Sequence, residues 1–460
     1  MSRKFDAIVI GAGQAGPPLA ERMTQEGLET AIIERNRFGG TCVNVGCIPT
    51  KTLVGSAHVA HLARRAADFG VSAGPVAVDM QRVKARMDEV RGASNQGVTA
   101  WLEGMDKLEI IHGHARFTGP RTLSVNGETL EADKVFIDVG ARARVPEIPG
   151  LDQIDYLTNS TMLEVDFVPK HLIVIGGSYI GLEFAQMYSR FGSEVTVVEM
   201  LDRIIPRDDD DVADAVQDIL AGEGVRFELG AECVAFENVD GRIQVSVSCD
   251  DEPRVIHGSH VLLAVGRVPN TDDLGLEAAG IVANERGIIP VDDELRTEVP
   301  GVWALGEVNG RGAFTHTSYN DFEIVAANLF SDHKRKVTER VDCYGLFVDP
   351  PLGRVGMTER DARDAGYQVR VGKRMMTRVG RAREFGETRG FMKVVVDADT
   401  DKILGAAILG LNGDEAVHSI IDIMNADLPY TSIQRSVHIH PTVAELIPTV
   451  FGELGPATPA

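Results

Sequence analysis

Residues 7–16, with the sequence AIVIGAGQAG, join four apolar residues to a glycine-rich loop near the beginning of the chain. An apolar run of this kind is typical of a strand buried on both faces of a parallel sheet. In the pattern G-x-G-x-x-G, Gly11 permits a tight turn, Gly13 lets the backbone approach a pyrophosphate, and Gly16 allows a helix to pack closely against the strand. The stretch therefore predicts a Rossmann-type unit that binds a dinucleotide, with its anion at the helix N-terminus.

An acidic residue completes this first unit. Thr30–Glu34 predicts the second strand, and Glu34 lies 23 residues after Gly11. A carboxylate at this place accepts hydrogen bonds from the hydroxyl groups of a ribose. Strand, loop, helix and terminal acid together indicate a nucleotide site more specifically than the glycines alone.

The same arrangement returns further along the chain. His171–Ile175 predicts a strand, residues 176–181 (GGSYIG) a turn, and residues 182–191 a helix. Gly176 and Glu199 are again 23 residues apart. These matches predict a second dinucleotide-binding unit, with a packing turn that binds no ligand as the alternative.

The second loop keeps Gly181 but has Ser178 in place of the middle glycine, which still permits backbone approach. Glu199 suits a free 2′-hydroxyl, and the two residues after it carry no positive charge to hold a 2′-phosphate. NADH is therefore favoured over NADPH. Arg203 and Arg207 are close enough in sequence to keep NADPH as an alternative.

Two cysteines with four residues between them lie in the stretch GGTCVNVGCIPTK, residues 39–51. A thiol pair directly behind a dinucleotide-binding unit indicates a redox-active disulfide, since two thiols can hold two electrons. Half of a metal site is disfavoured because metal knuckles are shorter and no second pair occurs; buried inert cysteines are the other alternative. A helix predicted to begin near Cys47 lowers the pKa of that thiol through its N-terminal dipole.

Length and charge limit the classes of protein to which the chain can belong. At 460 residues it suggests three domains of about 150 residues each. A net charge of −22 and a pI of about 5.0 disfavour nucleic acid or an anionic membrane as partner. Neither a membrane span nor a signal peptide is predicted, because no apolar run approaches ~20 residues and the N-terminus leads straight into a strand. Five cysteines are too few for a disulfide framework and predict a cytoplasmic protein.

The thirteen-residue cysteine stretch resembles the redox motif of the pyridine nucleotide–disulfide oxidoreductases, and the resemblance covers nearly the whole chain. That family includes dihydrolipoyl dehydrogenase, glutathione reductase, mycothione reductase and mercuric reductase. The resemblance implies an oxidoreductase acting on sulfur groups with NAD(P) as acceptor, with FAD in the first unit and NAD(P)H in the second. It implies an α/β fold with two Rossmann-like dinucleotide-binding domains of the three-layer ββα type and a C-terminal α+β dimerisation domain.

The domain boundaries are predicted from two kinds of signal. Residues 148–150 and 266–270 contain Pro and Gly, as interdomain crossings often do, and segments of alternating apolar and polar residues begin after about residue 340. The predicted ranges are 1–149 for FAD and the redox disulfide, 150–268 for NAD(P)H, 269–339 for a return to the FAD-binding part, and 340–460 for dimerisation. Two helices are predicted in the last range, over residues 414–426 and 442–452.

The resemblance also implies roles for residues around the cysteines. Cys42 corresponds to the interchange thiol that attacks substrate, and Cys47 to the charge-transfer thiol beside the flavin. Lys51 and Glu183 would form an ion pair near the flavin N5. Tyr179 would be the ring that moves aside for the nicotinamide, and an ordinary aromatic residue at a helix start is the alternative.

A histidine that precedes a proline near the C-terminus extends the resemblance. Glu445 follows His440 by five residues, which is the spacing of the family's dyad. In the family this histidine protonates the leaving thiolate and the glutamate orients it, and an imidazole suits proton transfer at neutral pH. The dyad comes from the other subunit, so the resemblance implies a homodimer whose active site His440 completes. His438 is interpreted as a packing residue.

The remaining cofactor residues follow from the same motifs. For FAD they are Gly11, Gly13, Gly16, Glu34, Gly40, Thr41, Lys51, Gly140, Gly306, Glu307 and Thr315, and for NAD(P)H they are Gly176, Ser178, Gly181, Glu199 and Gly266. Glu307 stands where the family has Asp, and residues 137–140 (IDVG) depart from Ala-Thr-Gly, so no role is assigned to Asp138. No metal site is predicted, and His58 and His61 are interpreted as helix-surface residues.

These features predict a FAD-dependent enzyme that passes electrons between NAD(P)H, FAD and a Cys42–Cys47 disulfide to a small-molecule disulfide or dithiol. Dihydrolipoyl dehydrogenase itself is one alternative. A mercuric reductase-like enzyme that reduces a metal ion or another oxidant is a second, although no cysteine follows Cys343 to form the C-terminal pair of true mercuric reductases. A vestigial flavoprotein that only binds partners is the non-enzyme alternative.

Overall fold

The computed structural model describes residues 2–232, 234–247 and 254–457. These residues form three main sheets with helices packed on them. Cys42, Cys47 and Cys343 are free thiols in the described ranges, and Cys233 and Cys249 lie outside them.

The first sheet is built around the strand that leads into the first glycine loop. Its order is Leu108–His112, Thr30–Glu34, Arg3–Ile10, Glu128–Ile137, Thr122–Val125 and Arg116–Gly119, with Val302–Ala304 also paired to Glu128–Ile137. The first four strands and Val302–Ala304 run parallel, and the other two are antiparallel. Ile8 and Ile33 lie in one buried cluster, and Val9 and Ile32 lie in another on the opposite face. The apolar run is therefore buried on both faces, as its sequence predicts.

The second sheet repeats this plan. Its strands are all parallel, in the order Arg226–Glu228, Glu194–Val198, His171–Ile175, His260–Leu263 and Tyr156–Leu157. A three-stranded antiparallel sheet of Ala235–Val239, Arg242–Ser246 and Val255–Gly258 shares a hydrophobic core with it. The helix of this unit runs over Tyr179–Phe191 and begins three residues earlier than predicted, with Ser178 as its N-cap.

Two short antiparallel strands, Ala141–Ala143 and Arg267–Pro269, lie where the chain passes between the first and second sheets. They sit beside the crossings predicted near residues 148–150 and 266–270. The exact domain boundaries stay a prediction.

The last part of the chain forms a five-stranded antiparallel sheet in the order Cys343–Leu346, Leu352–Gly356, Ile403–Leu409, Phe391–Asp397 and Val369–Met375. The two helices predicted here are shorter than expected. Residues 414–426 form two helices, Gly413–Ala416 and His418–Asn425, separated by Val417 alone. The helix predicted over residues 442–452 begins only at Ile447. Pro448 has no N–H group and is tolerated in the first turn of a helix but not in its interior.

The α-helices of the described residues are Gly16–Gln25, Gly40–Asn44, Cys47–Arg64, Met80–Glu103, Asn159–Met162, Tyr179–Phe191, Asp210–Gly222, Leu276–Ala279, Thr315–Phe330, Glu359–Asp364, Gly380–Glu384, Gly413–Ala416, His418–Asn425, Tyr430–Gln434 and Ile447–Gly452. None of them combines the length and the apolar character that a membrane crossing requires. The predicted fold class, two Rossmann-like units followed by an α+β part, is confirmed.

Candidate active site

The two redox cysteines lie at the start of the long helix Cys47–Arg64, here called the redox helix. Cys42 belongs to the short helix Gly40–Asn44, and Cys47 is the first residue of the redox helix, as predicted. Both thiols are half-buried. The sulfur of Cys47 lies 3.0 Å from Oγ1 of Thr315, which is itself the first residue of the helix Thr315–Phe330. Two helix N-termini therefore meet at this sulfur, and their dipoles favour a negative charge there.

The pKa values of the two thiols are shifted in opposite directions. A hydrogen bond from Cys42, followed by Thr315 and the charge of Lys51, outweighs burial and lowers the pKa of Cys47 to about 6. The same hydrogen bond and burial raise the pKa of Cys42 above its ordinary range. In the reduced pair, Cys47 is therefore the thiolate at neutral pH and Cys42 keeps its proton.

Lys51 lies one turn after Cys47 in the redox helix and pairs with a buried carboxylate. Its Nζ is 2.7 Å from Oε2 of Glu183, which is only 5% exposed. The other oxygen of Glu183 accepts the backbone N–H of Phe347 at 3.1 Å, and Nζ of Lys51 lies 4.6 Å from the centre of the Phe347 ring. The ion pair that the resemblance implies is thus present, and it fixes Lys51 near the thiolate.

Tyr179 begins the helix after the second glycine loop and is held by a buried acid. Its hydroxyl donates to Oδ2 of Asp208 at 3.4 Å, and that of Tyr344 donates to Oδ1 at 2.9 Å. The Tyr179 ring meets the ring of Tyr344 edge-on at 5.3 Å and that of Phe314 at 6.2 Å. Burial raises the pKa of Tyr179 to about 12, so its hydroxyl stays a donor. Sequence reasoning missed Asp208 and Tyr344 because only the fold brings them to Tyr179.

The first glycine loop fits the phosphate-bearing part of FAD. A Cβ on Gly40 would lie 2.8 Å from Cα of Gly13, so the start of the cysteine stretch packs directly on the loop. Glu34 accepts the N–H of Ala12 at 2.9 Å and that of Asn36 at 2.7 Å, which places its carboxylate beside the loop. The N-cap of the helix Gly16–Gln25 makes no side-chain capping bond. These residues can hold an anionic dinucleotide.

The second loop has the same geometry. Glu199 accepts the N–H of Gly177 at 2.6 Å and that of Leu201 at 3.0 Å, and the side chain of Ser178 makes no capping bond. Arg203, the first arginine after Glu199 in the sequence, pairs with the carboxylate of Asp214. A carboxylate at the loop and an occupied arginine suit a cofactor with a free 2′-hydroxyl.

Glu307 and two buried aspartates, Asp138 and Asp321, lie close to the C-terminal ends of the neighbouring strands Glu128–Ile137 and Val302–Ala304. Nε of Arg267 donates to Glu307 at 2.8 Å, so the substituted acid pairs with the crossing strand. The backbone N–H of Gly306 donates to Asp321 at 2.8 Å. Asp138 lies behind the first glycine loop, where its Oδ2 accepts the backbone N–H of Gly16 at 2.9 Å. The sign of Asp138 in the sequence is the departure of residues 137–140 (IDVG) from the Ala-Thr-Gly of the family.

The C-terminal dyad is formed within the chain. Nδ1 of His440 lies 2.6 Å from Oε2 of Glu445, and the His440 side chain is 80% exposed whereas that of Glu445 is 13% exposed. In the described part of the chain no hydrogen bond joins the dyad to either redox thiol. Val437 and Ile439, which precede His440 in the sequence, are 97% and 79% exposed. Nδ1 of His438 instead bonds with the backbone carbonyl of Ala444 at 2.7 Å, in keeping with a packing residue.

The other two histidines singled out in the sequence lie on the redox helix. Nδ1 of His58 is 2.7 Å from Oδ2 of Asp349, which also pairs with Arg190. Burial lowers the pKa of His61. Within residues 2–232, 234–247 and 254–457 no cluster of three His, Cys, Asp or Glu side chains is arranged to hold a metal ion.

Comparison with known proteins agrees with this geometry. The family model "Pyridine nucleotide-disulphide oxidoreductase" matches residues 5–321, and the dimerisation domain of the same family matches residues 344–451. The chain is 35% identical over 456 residues to the probable pyridine nucleotide-disulfide oxidoreductase RclA of Escherichia coli, covering 97% of this chain and 99% of RclA. It is 35% identical over 448 residues to a dihydrolipoyl dehydrogenase of Thermus scotoductus, covering 96% of both.

Solved structures of RclA, described as a HOCl-induced flavoprotein disulfide reductase, superpose on the chain. A Cu(II) complex of RclA matches with a TM-score of 0.89 at 35% identity, over 98% of this chain and 99% of RclA. A mercuric reductase of Bacillus cereus is 33% identical over 443 residues, which cover 96% of this chain and 70% of that enzyme. The chain therefore belongs to the pyridine nucleotide–disulfide oxidoreductase family and is a FAD-dependent oxidoreductase that uses NAD(P)H and acts on sulfur groups.

Proposed function

We propose that the chain is an NADH-dependent reductase of a small-molecule disulfide, with Cys42 and Cys47 as its redox pair. The observation that carries the proposal is the state of Cys47, whose pKa is lowered to about 6 by Cys42, Thr315 and Lys51. A thiolate of this kind has no use in packing, because burial alone would raise its pKa. Bound FAD supplies the two-electron chemistry that links NADH to this pair.

The two thiols have different tasks. Cys42, freed of its proton, attacks the substrate disulfide, forms a mixed disulfide and releases one substrate thiolate. The Cys47 thiolate then attacks the sulfur of Cys42, which re-forms the Cys42–Cys47 disulfide and releases the second thiolate. Two electrons thus pass to the substrate, and each released thiolate needs one proton.

His440 of the partner subunit handles these protons. It accepts the proton of Cys42 and returns it to the first leaving thiolate, and the second thiolate takes a proton from solvent through the same ring. Glu445 holds the ring through Nδ1, which leaves Nε2 for this proton transfer. The exposure of His440, Val437 and Ile439 supports a second subunit that covers this segment. The match of residues 344–451 to the family's dimerisation domain supports a homodimer.

We keep the assignment of FAD and the nicotinamide cofactor to the residues predicted from the sequence. The first loop and Glu34 would hold FAD, and the second loop and Glu199 would hold NADH. The pairing of Arg203 with Asp214 supports NADH over NADPH, because it leaves that guanidinium occupied. We assign FAD to residues 1–149 and 269–339, NADH to 150–268 and dimerisation to 340–460. A reactive thiol pair of this kind suits a cytoplasmic protein.

Turnover of purified protein against a panel of acceptors tests this function. The panel contains lipoamide, dihydrolipoamide with NAD, glutathione disulfide, Hg(II) and Cu(II), each with NADH and NADPH. Cys42→Ser and Cys47→Ser should each abolish reduction of the disulfides, whereas Cys343→Ser, which alters the third described thiol, should leave it unchanged. Equal disulfide turnover by all three variants would refute the proposed redox pair.

A second candidate acceptor is Cu(II), because RclA has been solved as a Cu(II) complex and is 35% identical over nearly the whole chain. Each Cu(II) ion takes one electron, so one dithiol would reduce two ions to Cu(I) as it becomes a disulfide. Fast NADH oxidation with Cu(II) and none with the disulfides would favour this candidate. Fast reversible turnover of lipoamide would instead make the enzyme a dihydrolipoyl dehydrogenase.

A further inference from the structure

Asp138 lies directly behind the first glycine loop. It follows the strand Glu128–Ile137, and its backbone N–H donates to the carbonyl of Ile10 at 2.8 Å. Its Oδ2 accepts the N–H of Gly16 at 2.9 Å, and a Cβ built on Gly13 would lie 2.9 Å from the same oxygen. The carboxyl group therefore occupies the inner side of the helix start whose outer side is the proposed pyrophosphate site.

The surroundings of Asp138 are acidic and dry. The residue is 6% exposed. Burial raises the pKa of its carboxyl group well above the ordinary value, and the charges of Asp321 and Glu34 raise it further, against the N–H groups of Gly16 and Ala15. The guanidinium of Arg340 pairs with the neighbouring Asp321. In the part of the chain that the structure describes, no basic side chain pairs with Asp138.

An ionised carboxyl group and a pyrophosphate compete for the same helix N-terminus. The pyrophosphate of FAD brings two negative charges to the loop, and in a site of low dielectric their repulsion of a carboxylate behind the loop is strong. A protonated Asp138 removes that repulsion and still accepts the bond from Gly16 through its carbonyl oxygen.

We propose that Asp138 links FAD binding to proton uptake, so that the protein holds FAD more tightly at low pH than at high pH. The inference rests on the placement of FAD in the first loop under the proposed function. The sign follows from linkage: bound FAD favours the protonated carboxyl, so the affinity for FAD is highest while Asp138 is protonated in the free protein and falls as rising pH ionises it.

Release of FAD from the purified holoenzyme tests the proposal. The protein is diluted at a series of pH values from mildly acidic to mildly alkaline, and free FAD is measured by fluorescence after filtration, which gives Kd. For the unaltered protein, Kd should rise by up to about tenfold per pH unit over the window in which one proton is linked to binding. Asp138→Asn, which keeps the shape and the acceptor but cannot ionise, should show a flat Kd that is lower at alkaline pH.

Two further variants keep the test decisive. Asp133 is exposed and lies on the strand that leads to Asp138, so Asp133→Asn should retain the pH dependence of the unaltered protein. Asp138→Ala also removes the charge and should likewise lose the pH dependence. It takes the place of Asp138→Asn in the test if that variant does not fold. A pH-independent Kd in the unaltered protein, or the same pH dependence in both Asp138 variants, would overturn the inference. The Kd for FAD does not depend on disulfide turnover. If the enzyme did not reduce a small-molecule disulfide, the result of this test would therefore be unaffected.

Discussion

Replacing Thr315 with valine removes the hydroxyl group that lies 3.0 Å from the sulfur of Cys47 and keeps the shape of the side chain. The structure gives this hydroxyl one task at the redox pair, which is to stabilise the Cys47 thiolate. Its loss therefore disfavours the charged form, and the pKa of Cys47 should rise.

The size of the shift follows from the energy of one hydrogen bond. A hydrogen bond to a charged group contributes about 1.5–3 kcal/mol, and one pKa unit corresponds to about 1.4 kcal/mol. The pKa of Cys47, now about 6, should therefore rise to about 7–8. At pH 7 the thiolate fraction should fall from about nine-tenths to about one-half or less.

Ultraviolet absorbance of the thiolate in reduced protein, followed against pH, measures this shift. Burial raises the pKa of Cys343, and that of Cys42 is raised further, so Cys47 titrates first among the three thiols that the structure describes. Thr52→Val is the matched control, since Thr52 lies on the same redox helix and its hydroxyl bonds the carbonyl of Ile48. An unchanged midpoint in Thr315→Val, or an equal shift in the control, would refute the role of Thr315.

Three other substitutions have defined outcomes. Glu445→Gln should slow disulfide reduction by at least about tenfold in steady-state assays, because His440 loses its carboxylate partner, while NADH oxidation by an artificial electron acceptor stays unchanged; equal loss of both activities would contradict the dyad. Tyr179→Phe should lower the KM for NADH by about two- to tenfold, because the bond to Asp208 no longer holds the ring; a raised KM would count against this. Lys393→Met should lower the free energy of unfolding by about 3–5 kcal/mol in denaturant titrations, because Asp209 loses its buried ion-pair partner at 3.1 Å, whereas Asp211 keeps Lys373 and Glu359 keeps Arg363; a change below about 1 kcal/mol would contradict this.

Those parts of the fold that depend on local patterns could be predicted from the sequence. The strands Thr30–Glu34 and His171–Ile175 have the expected bounds, because an apolar run between turn residues leaves few alternatives. The redox helix begins at Cys47 for a similar reason: the glycine before it ends the preceding turn.

Features that depend on distant contacts could not be predicted. Asp138 stands where the sequence departs from the family's Ala-Thr-Gly, and only the pairing of the preceding strand with Arg3–Ile10 carries it behind the first loop. Asp208 meets Tyr179 within the second sheet unit, 29 residues further along the chain, and Tyr344 reaches Asp208 only through the packing of the C-terminal part against that unit. The last helix starts later than predicted, because Pro448 prefers the first turn of a helix.

The central claim is that electrons from NADH reach the Cys42–Cys47 pair. Oxidised protein is mixed with one equivalent of NADH without oxygen, alkylated, and mapped by peptide mass spectrometry. The account predicts that alkylation increases at Cys42 and Cys47 and stays unchanged at Cys343. No increase at the pair, or an increase at other cysteines instead, would contradict it.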